Sequence, residues 1–230
     1  MDDQKVATWD RRVAVFTLIY YFVLFGVRVR ETGKEAAYEM MWGCNVSLFQ
    51  AAMGVLTGRR LLVASAVTTV LIDQLCWYVD LLGFQIMGRF PVGVASYLFR
   101  EHVPFAKKLT AGHHLWFLPT YLWVLRREGV PAKAWIVTAV LTSYLIAFSR
   151  AFIPFEIVRN GTSEPIYLNV NLAYEFWSDV DISLLHAFDG SHPSVYLPYA
   201  VVVCNVLLNG PPFLLLWLGM RVISHRRKLE

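Results

Sequence analysis

Residues 61–82, LLVASAVTTVLIDQLCWYVDLL, follow the basic segment Gly58-Arg59-Arg60 and contain only two charged residues, Asp73 and Asp80. A largely apolar run of this length is long enough to cross the hydrocarbon core of a bilayer as one helix. The rest of the chain has the same character, since 57% of its 230 residues are hydrophobic and its mean hydropathy is +0.47. The sequence therefore predicts an integral membrane protein rather than a soluble domain.

Apolar runs bracketed by lysine and arginine predict how often the chain crosses the membrane. We expect an all-α, multi-pass transmembrane helix bundle of about six spans, forming a single domain over residues 1–230. The predicted spans are residues 13–27, 40–57, 61–82, 109–125, 134–153 and 195–220. Pro211-Pro212 could break the last of them.

Two stretches do not fit a simple span. Residues 83–99 are apolar but are interrupted by Arg89-Phe90-Pro91, and we expect them to be re-entrant or interfacial. Residues 154–194 are rich in acidic and aromatic residues and are expected to form one long extramembrane loop before the last span. A loop of that length is often functional.

The distribution of charge predicts the orientation of the bundle. Six spans place both termini on one side, which carries twelve lysines and arginines against nine on the other. Basic residues favour the cytoplasmic side, so both termini are expected in the cytoplasm. Nothing in the net charge of +4 indicates a nucleic-acid partner. The three cysteines all lie in apolar runs, which does not predict a disulfide framework.

Alternation of the spans places several polar side chains at one depth. Cys44 lies four residues inside the second span, and His113 and His114 lie four and five residues inside the fourth. Both spans enter from the non-cytoplasmic side, so these side chains should lie roughly 6–8 Å below that surface. Asp80 and Arg150 are expected at the same end of their spans, with Asp73 about two turns deeper.

A thiol, two imidazoles and carboxylates at one depth are the components of a nucleophilic site. Cys44 is the predicted nucleophile, His114 the base that takes its proton, and Asp73 the carboxylate that orients the imidazole. Adjacent histidines point about 100° apart on a helix, so we expect only His114 to face the bundle centre. The residues predicted to support the site are His113, Asn45, Gln50, Asp80 and Arg150.

The supporting residues have separate expected roles. Asn45 or Gln50 would donate a hydrogen bond to the oxyanion of an acyl-transfer reaction. Arg150 would suit a phosphate or carboxylate head group. His113 is expected to be a packing residue or to support the base His114 without contacting the substrate.

Three stretches carry a resemblance to a known family. Trp42-Gly43-Cys44-Asn45-Val46-Ser47-Leu48-Phe49-Gln50, His114-Leu115-Trp116-Phe117-Leu118-Pro119 and Ile166-Tyr167-Leu168-Asn169 are similar to segments of small six-span membrane enzymes. That family includes the androgen-induced threonine hydrolases of fatty-acid esters, an ether-phospholipid acyltransferase of animal cells, and bacterial integral membrane relatives. The resemblance implies that Cys44 takes the nucleophile position and His114 the base position, with Ser47 as the alternative nucleophile if the match is offset.

The sequence leaves three functions open. The leading prediction is a membrane lipid acyl hydrolase or acyltransferase that acts on a membrane lipid or fatty-acyl substrate without a cofactor. The second is a metal-dependent membrane hydrolase that uses His113, His114 and Asp73, with His186 or His192 as a further ligand. The third is a small transporter or ligand-binding membrane protein without enzymatic activity.

Overall fold

The computed structural model describes residues 3–99, 103, 105–158, 165–178 and 180–226, and these residues are mainly helical. The helices are α1 (Asp3–Thr32), α2 (Ala36–Met40), α3 (Gly43–Leu56), α4 (Arg60–Met87), α5 (Phe105–Thr110), α6 (His113–Glu128), α7 (Ala134–Phe152), α8 (Pro193–Val202) and α9 (Gly210–Arg226). Short 3-10 turns occur at Gly33–Glu35, Ser96–Phe99 and Val170–Leu172. Two short strands, β1 (Glu156–Val158) and β2 (Pro165–Tyr167), pair antiparallel within the predicted loop.

Each of the six predicted spans is mainly helical, although residues 40–57 and 109–125 each cross a break between two helices. The fold class is confirmed as far as a helical membrane protein. Among the described residues, four helices are long and apolar enough to cross a membrane. These are Ala7–Glu31, Arg60–Met87, Ala134–Phe152 and Pro193–Ile223. Helix α3 is apolar but has only 14 residues, and α6 has 16. The count of six spans therefore stays a prediction.

Helix α4 lies at the centre of the bundle, where it packs against α3, α6, α7 and α9. Small buried residues such as Ala64 and Ala66 allow this close packing. One close approach is at Gly54 of α3, where an added Cβ would lie 2.7 Å from Val63 Cγ2 and 2.9 Å from Val63 N. The outer faces of α1, α4, α7 and α9 expose large apolar side chains, as expected of surfaces that contact lipid.

The helix of the last predicted span continues through Pro211-Pro212. Residues Val203–Asn209 form a π-helical segment that joins α8 to α9. Proline lacks the amide hydrogen of a regular helix and its ring crowds the preceding turn. A wider π-helical turn relieves both effects. The expected break at Pro211-Pro212 is therefore replaced by a local widening.

Residues 83–99 do not form a further span. Helix α4 extends to Met87 and ends at Gly88, whose φ of 69° lies in the left-handed region that favours glycine. The chain then turns and reaches the 3-10 helix at Ser96–Phe99. Residues 88–99 therefore contain no helix that could reverse the alternation on which the predicted site depends.

Candidate functional site

Cys44, His113 and His114 come together at the ends of two helices. Cys44 is the second residue of α3, and the two histidines are the first two residues of α6. The Cys44 sulfur and one ring nitrogen from each histidine all lie within 4.8 Å of one another. The predicted co-location of the thiol and the imidazoles is confirmed, although both helices begin a few residues later than the predicted spans.

Both histidines lie beside the thiol, whereas the sequence led us to expect that only His114 faces the bundle centre. Their ring centroids are 4.0 Å apart, and the planes are tilted by 34°. The 100° rotation between neighbouring helix positions sets the direction of the Cα–Cβ bonds only. Rotation about the two side-chain torsions can then bring the rings to the same side. The two rings therefore lie side by side next to the thiol.

The main-chain carbonyl of Thr110 fixes the protonation pattern of His113. His113 Nδ1 lies 2.9 Å from this oxygen, and a carbonyl can only accept a hydrogen bond. Neutral His113 therefore carries its proton on Nδ1 and keeps a lone pair on Nε2. The His113 residue is 2% exposed, and its Nε2 has no hydrogen-bond partner among the described residues. A buried lone pair beside a thiol is available to accept a proton or to coordinate a metal.

His114 is held by two residues that sequence reasoning missed. Its Nδ1 lies 2.9 Å from Gln74 Nε2, and Trp77 stacks on its ring at 5.1 Å between centroids. Gln74 is fully buried in α4, next in sequence to Asp73. A buried amide in a membrane helix needs a partner, and that rule could have singled out Gln74. The amide group takes the orienting role that we expected of a carboxylate.

Asp73 and Asp80 form no hydrogen bond with His113 or His114 among the described residues. Asp80 instead accepts hydrogen bonds from the main-chain N–H groups of Val92, Gly93 and Ala95, at 2.7, 3.0 and 2.9 Å. It therefore organises the turn that follows α4 rather than supporting the base. Asp73 lies within electrostatic range of Cys44 but forms no hydrogen bond among the described residues.

The two predicted oxyanion donors are engaged elsewhere. Asn45 Nδ2 donates to the Glu39 carbonyl at 2.8 Å and so ties α3 to α2. Gln50 Nε2 lies 2.6 Å from Ser65 Oγ and 3.2 Å from the Leu62 carbonyl, which joins α3 to α4. Gln50 follows Cys44 by six residues, or about 9 Å along the helix axis. Both amides are structural in this arrangement.

The long loop contributes Asn171, which contacts the start of α3. Asn171 Oδ1 accepts a hydrogen bond from Gly43 N at 2.8 Å, and its Nδ2 donates to the Met41 carbonyl at 2.8 Å and to Ser149 Oγ at 3.0 Å. The φ of 57° at Asn171 is unusual outside glycine but more common for asparagine. This contact places that part of the loop against the start of α3, where Cys44 lies. Residues 159–164 and 179 of the loop lie outside the described residues.

Buried ion pairs stand beside the site and were not predicted. Arg28 Nη1 lies 2.9 Å from Glu39 Oε2, and Lys107 Nζ lies 3.1 Å from Glu39 Oε1. Arg28 and Glu39 are each 7% exposed. These contacts connect α1, α2 and α5 just before the turn that leads into the histidine pair. Paired charges of this kind are the form in which ionised groups are buried.

The remaining predicted site residues lie in the last turn of α7 and in the loop that follows it. The Arg150 guanidinium stands 4.1 Å from the centre of the Tyr174 ring, a cation–π contact. His186 bonds to Asp189 at 2.6 Å and to the Val180 carbonyl at 2.7 Å. His192 caps the start of α8 through Ser194. His186, His192 and Asp73 lie outside the group formed by Cys44, His113 and His114. The third candidate metal ligand beside His113 and His114 is therefore Cys44.

The three cysteines are free thiols in the structure, in agreement with the sequence. Cys44 is thus not tied up in a disulfide. Comparison with known proteins returned no matching family model, curated protein or solved structure. The resemblance to the six-span membrane enzymes therefore stays a prediction.

Proposed function

We propose that this protein is a membrane-embedded lipid acyl hydrolase or acyltransferase with Cys44 as its nucleophile. The observation that carries the proposal is the approach of the Cys44 sulfur to a ring nitrogen of each histidine, within 4.8 Å. Cysteine is mostly protonated at neutral pH and needs a base beside it to attack an acyl carbon. The arrangement supplies two imidazoles for one thiol.

His113 is the better-defined base in this proposal. The Thr110 carbonyl leaves its Nε2 with a lone pair, whereas Gln74 Nε2 donates to His114 Nδ1 and so leaves the proton of a neutral His114 on its Nε2. His114 is the base that the sequence predicted, and it is the alternative in the experiment below. A separation up to 4.8 Å is longer than a hydrogen bond. The contact must therefore tighten when substrate binds, as is common for catalytic pairs in free enzymes.

The reaction would proceed through an acyl-enzyme. The imidazole takes the thiol proton as the sulfur attacks the acyl carbonyl, and the resulting imidazolium gives that proton to the departing alkoxide. The acyl group is then a thioester on Cys44. Water or an acceptor alcohol loses its proton to the imidazole and attacks the thioester, and the thiolate takes the proton back. Water gives hydrolysis, and an alcohol gives acyl transfer.

The start of α3 is the proposed stabiliser of the oxyanion. The helix dipole makes this end positive. Gly43 N donates to Asn171, and Asn45 N and Val46 N donate to the Trp42 carbonyl, so Cys44 N is the first-turn N–H group without a main-chain acceptor among the described residues. Cys44 is in that first turn, so developing negative charge on the acyl oxygen would lie near the positive end. This replaces the side-chain donors Asn45 and Gln50, whose amides bond elsewhere.

A lipid substrate fits the surroundings of the site. Among the described residues, four helices are long and apolar enough to cross a membrane, and they expose apolar side chains outward. An acyl chain dissolved in the bilayer could therefore approach the ends of α3 and α6 laterally. Placement of the site near the non-cytoplasmic face, with both termini in the cytoplasm, is part of the proposal.

The test is turnover of acyl substrates by the purified full-length protein in lipid nanodiscs. Hydrolysis of a fluorogenic long-chain fatty-acid ester and of the nanodisc phospholipid would be measured for wild type, Cys44→Ala, His113→Gln, His114→Gln and the control Cys76→Ala. We expect Cys44→Ala to abolish turnover and Cys76→Ala to retain it. His113→Gln should lower kcat about 100-fold or more, since general base catalysis contributes roughly 10²–10⁴-fold.

Trapping of the intermediate gives the second readout. A radiolabelled acyl substrate should label the wild type through a hydroxylamine-sensitive thioester that Cys44→Ala lacks. Full turnover by Cys44→Ala would overturn the proposal. Loss of activity in His114→Gln but not in His113→Gln would return the base to His114.

A further inference from the structure

We propose that Cys44, His113 and His114 bind one zinc-class transition-metal ion, and that this ion blocks the acyl-transfer chemistry of the same thiol. The second half of the statement rests on the proposed function. Metal binding itself does not. The geometry of the three side chains carries the inference.

The donor set is the first argument. Thiolate and imidazole select zinc, copper and related ions over magnesium and calcium, which prefer oxygen. Three protein ligands leave a fourth position of a tetrahedral ion open. The donor atoms of Cys44, His113 and His114 lie within 4.8 Å of one another. In a tetrahedral zinc site, such atoms lie roughly 3.3–3.6 Å apart. Side-chain rotations that bring them about 1 Å closer would therefore complete the site.

The surroundings of the histidines are the second argument. Histidine ligands of metals usually donate their other ring N–H to a main-chain carbonyl, a carboxylate or water, which orients the coordinating lone pair. His113 makes this hydrogen bond, because its Nδ1 lies 2.9 Å from the Thr110 carbonyl. Its Nε2 is buried and has no partner among the described residues. Coordination through His114 Nε2 requires the Gln74 amide to turn, so that its Oε1, which has no hydrogen-bond partner among the described residues, accepts from His114 Nδ1.

The local charge also suits a bound cation. A divalent ion would displace the thiol proton of Cys44 to solvent, leaving one positive charge on the metal–thiolate unit. Asp73 lies within electrostatic range of the sulfur, and its carboxylate when ionised balances that charge. The positive charge of Arg28 acts in the opposite direction, but it is paired with Glu39. We therefore expect affinity to fall severalfold in Asp73→Asn.

Cobalt(II) gives a direct readout of ligation. Chelator-treated full-length protein in nanodiscs, purified through a tag without histidine, would be titrated with Co²⁺ and then with Zn²⁺. We expect one ion per chain, a thiolate-to-cobalt charge-transfer band in the near ultraviolet, visible bands of tetrahedral intensity, and displacement by Zn²⁺. Cys44→Ser should lose the charge-transfer band. His113→Ala and His114→Ala should each weaken metal binding by more than about 100-fold, because loss of a residue that only hydrogen-bonds to a metal ligand already lowers metal affinity about 10–100-fold.

Matched controls use the other thiols and a surface histidine. Cys76→Ala, Cys204→Ala and His192→Ala should bind Co²⁺ as the wild type does, because these residues lie outside the group. The inference is overturned if the wild type shows no charge-transfer band, or if Cys44→Ser keeps it. A variant can also lose metal binding because it is destabilised. The wild type gives evidence that avoids this problem: Cd²⁺ should protect Cys44 from alkylation and should not protect Cys76.

Activity assays separate this inference from the proposed function. If both hold, one equivalent of Zn²⁺ abolishes acyl turnover and a chelator restores it. Cobalt binding through Cys44 without any acyl turnover would support the metal site and count against the proposed function. Cys44-dependent turnover that Zn²⁺ does not change, together with no cobalt band, would overturn the metal site alone. Activation by Zn²⁺ would support the metal site, overturn inhibition, and favour a metal-dependent hydrolase.

Discussion

Replacing Asp80 with asparagine should destabilise the protein through the turn that follows α4. Asp80 Oδ1 accepts from Val92 N and Gly93 N, and Oδ2 accepts from Ala95 N at 2.9 Å. An asparagine keeps one carbonyl oxygen, so it can retain the first two bonds. Its NH₂ group then faces the Ala95 N–H, and two donors cannot pair.

The magnitude follows from these three bonds. A hydrogen bond to a charged group contributes about 1.5–3 kcal/mol, and a buried donor left without an acceptor costs about 1–3 kcal/mol. Asp80→Asn loses one such bond, strands one donor and weakens the other two bonds by removing the charge. We expect the free energy of unfolding to fall by about 2–5 kcal/mol.

The assay is unfolding in mixed micelles by titration with a denaturing detergent, followed by tryptophan fluorescence. Asp73→Asn is the matched control, because it removes the same charge from the same helix without breaking a hydrogen bond among the described residues. It should leave stability unchanged or raise it. Hydrogen exchange should locate the Asp80→Asn effect in residues 88–99. Equal losses in the two variants, or a loss below about 0.5 kcal/mol for Asp80→Asn, would refute this account of the turn.

Two further predictions concern packing and pH. Gly54→Ala should lower the free energy of unfolding by about 1–3 kcal/mol in the same assay, because the added Cβ would lie 2.9 Å from Val63 N. Gly26→Ala is the control and should be neutral or stabilising, because its added Cβ has nothing within 4 Å. Similar losses in both variants would contradict the packing argument. The Val180 carbonyl and the Asp189 side chain raise the pKa of His186 above its usual 6.5. These bonds therefore stabilise the loop fully below pH 6.5 and are lost as the pH rises through the raised pKa. An NMR titration of the imidazole should show a midpoint above 6.5, lowered in Asp189→Asn, and a wild-type midpoint at or below 6.5 would contradict the prediction.

The local sequence determined which segments are helical and that the protein belongs in a membrane. Apolar runs such as residues 61–82 must satisfy their main-chain groups internally, and a helix does so without any other segment. The approach of Cys44 to the histidines was also within reach of the sequence. It requires only that successive spans alternate in direction, and residues 88–99 add no span that would reverse them.

Tertiary structure decided how the site is built. The 100° rotation between neighbouring helix positions sets the directions in which the His113 and His114 side chains leave the main chain. It could not show that the two rings converge. Partners distant in sequence, such as Gln74 for His114 and Asn171 for Gly43, depend on which helix faces meet and on how the loop folds back. Asp80 illustrates the same limit, because a carboxylate in an apolar helix signals only that it needs partners. Which donors reach it, three main-chain N–H groups rather than an imidazole, is settled by packing that no local pattern encodes.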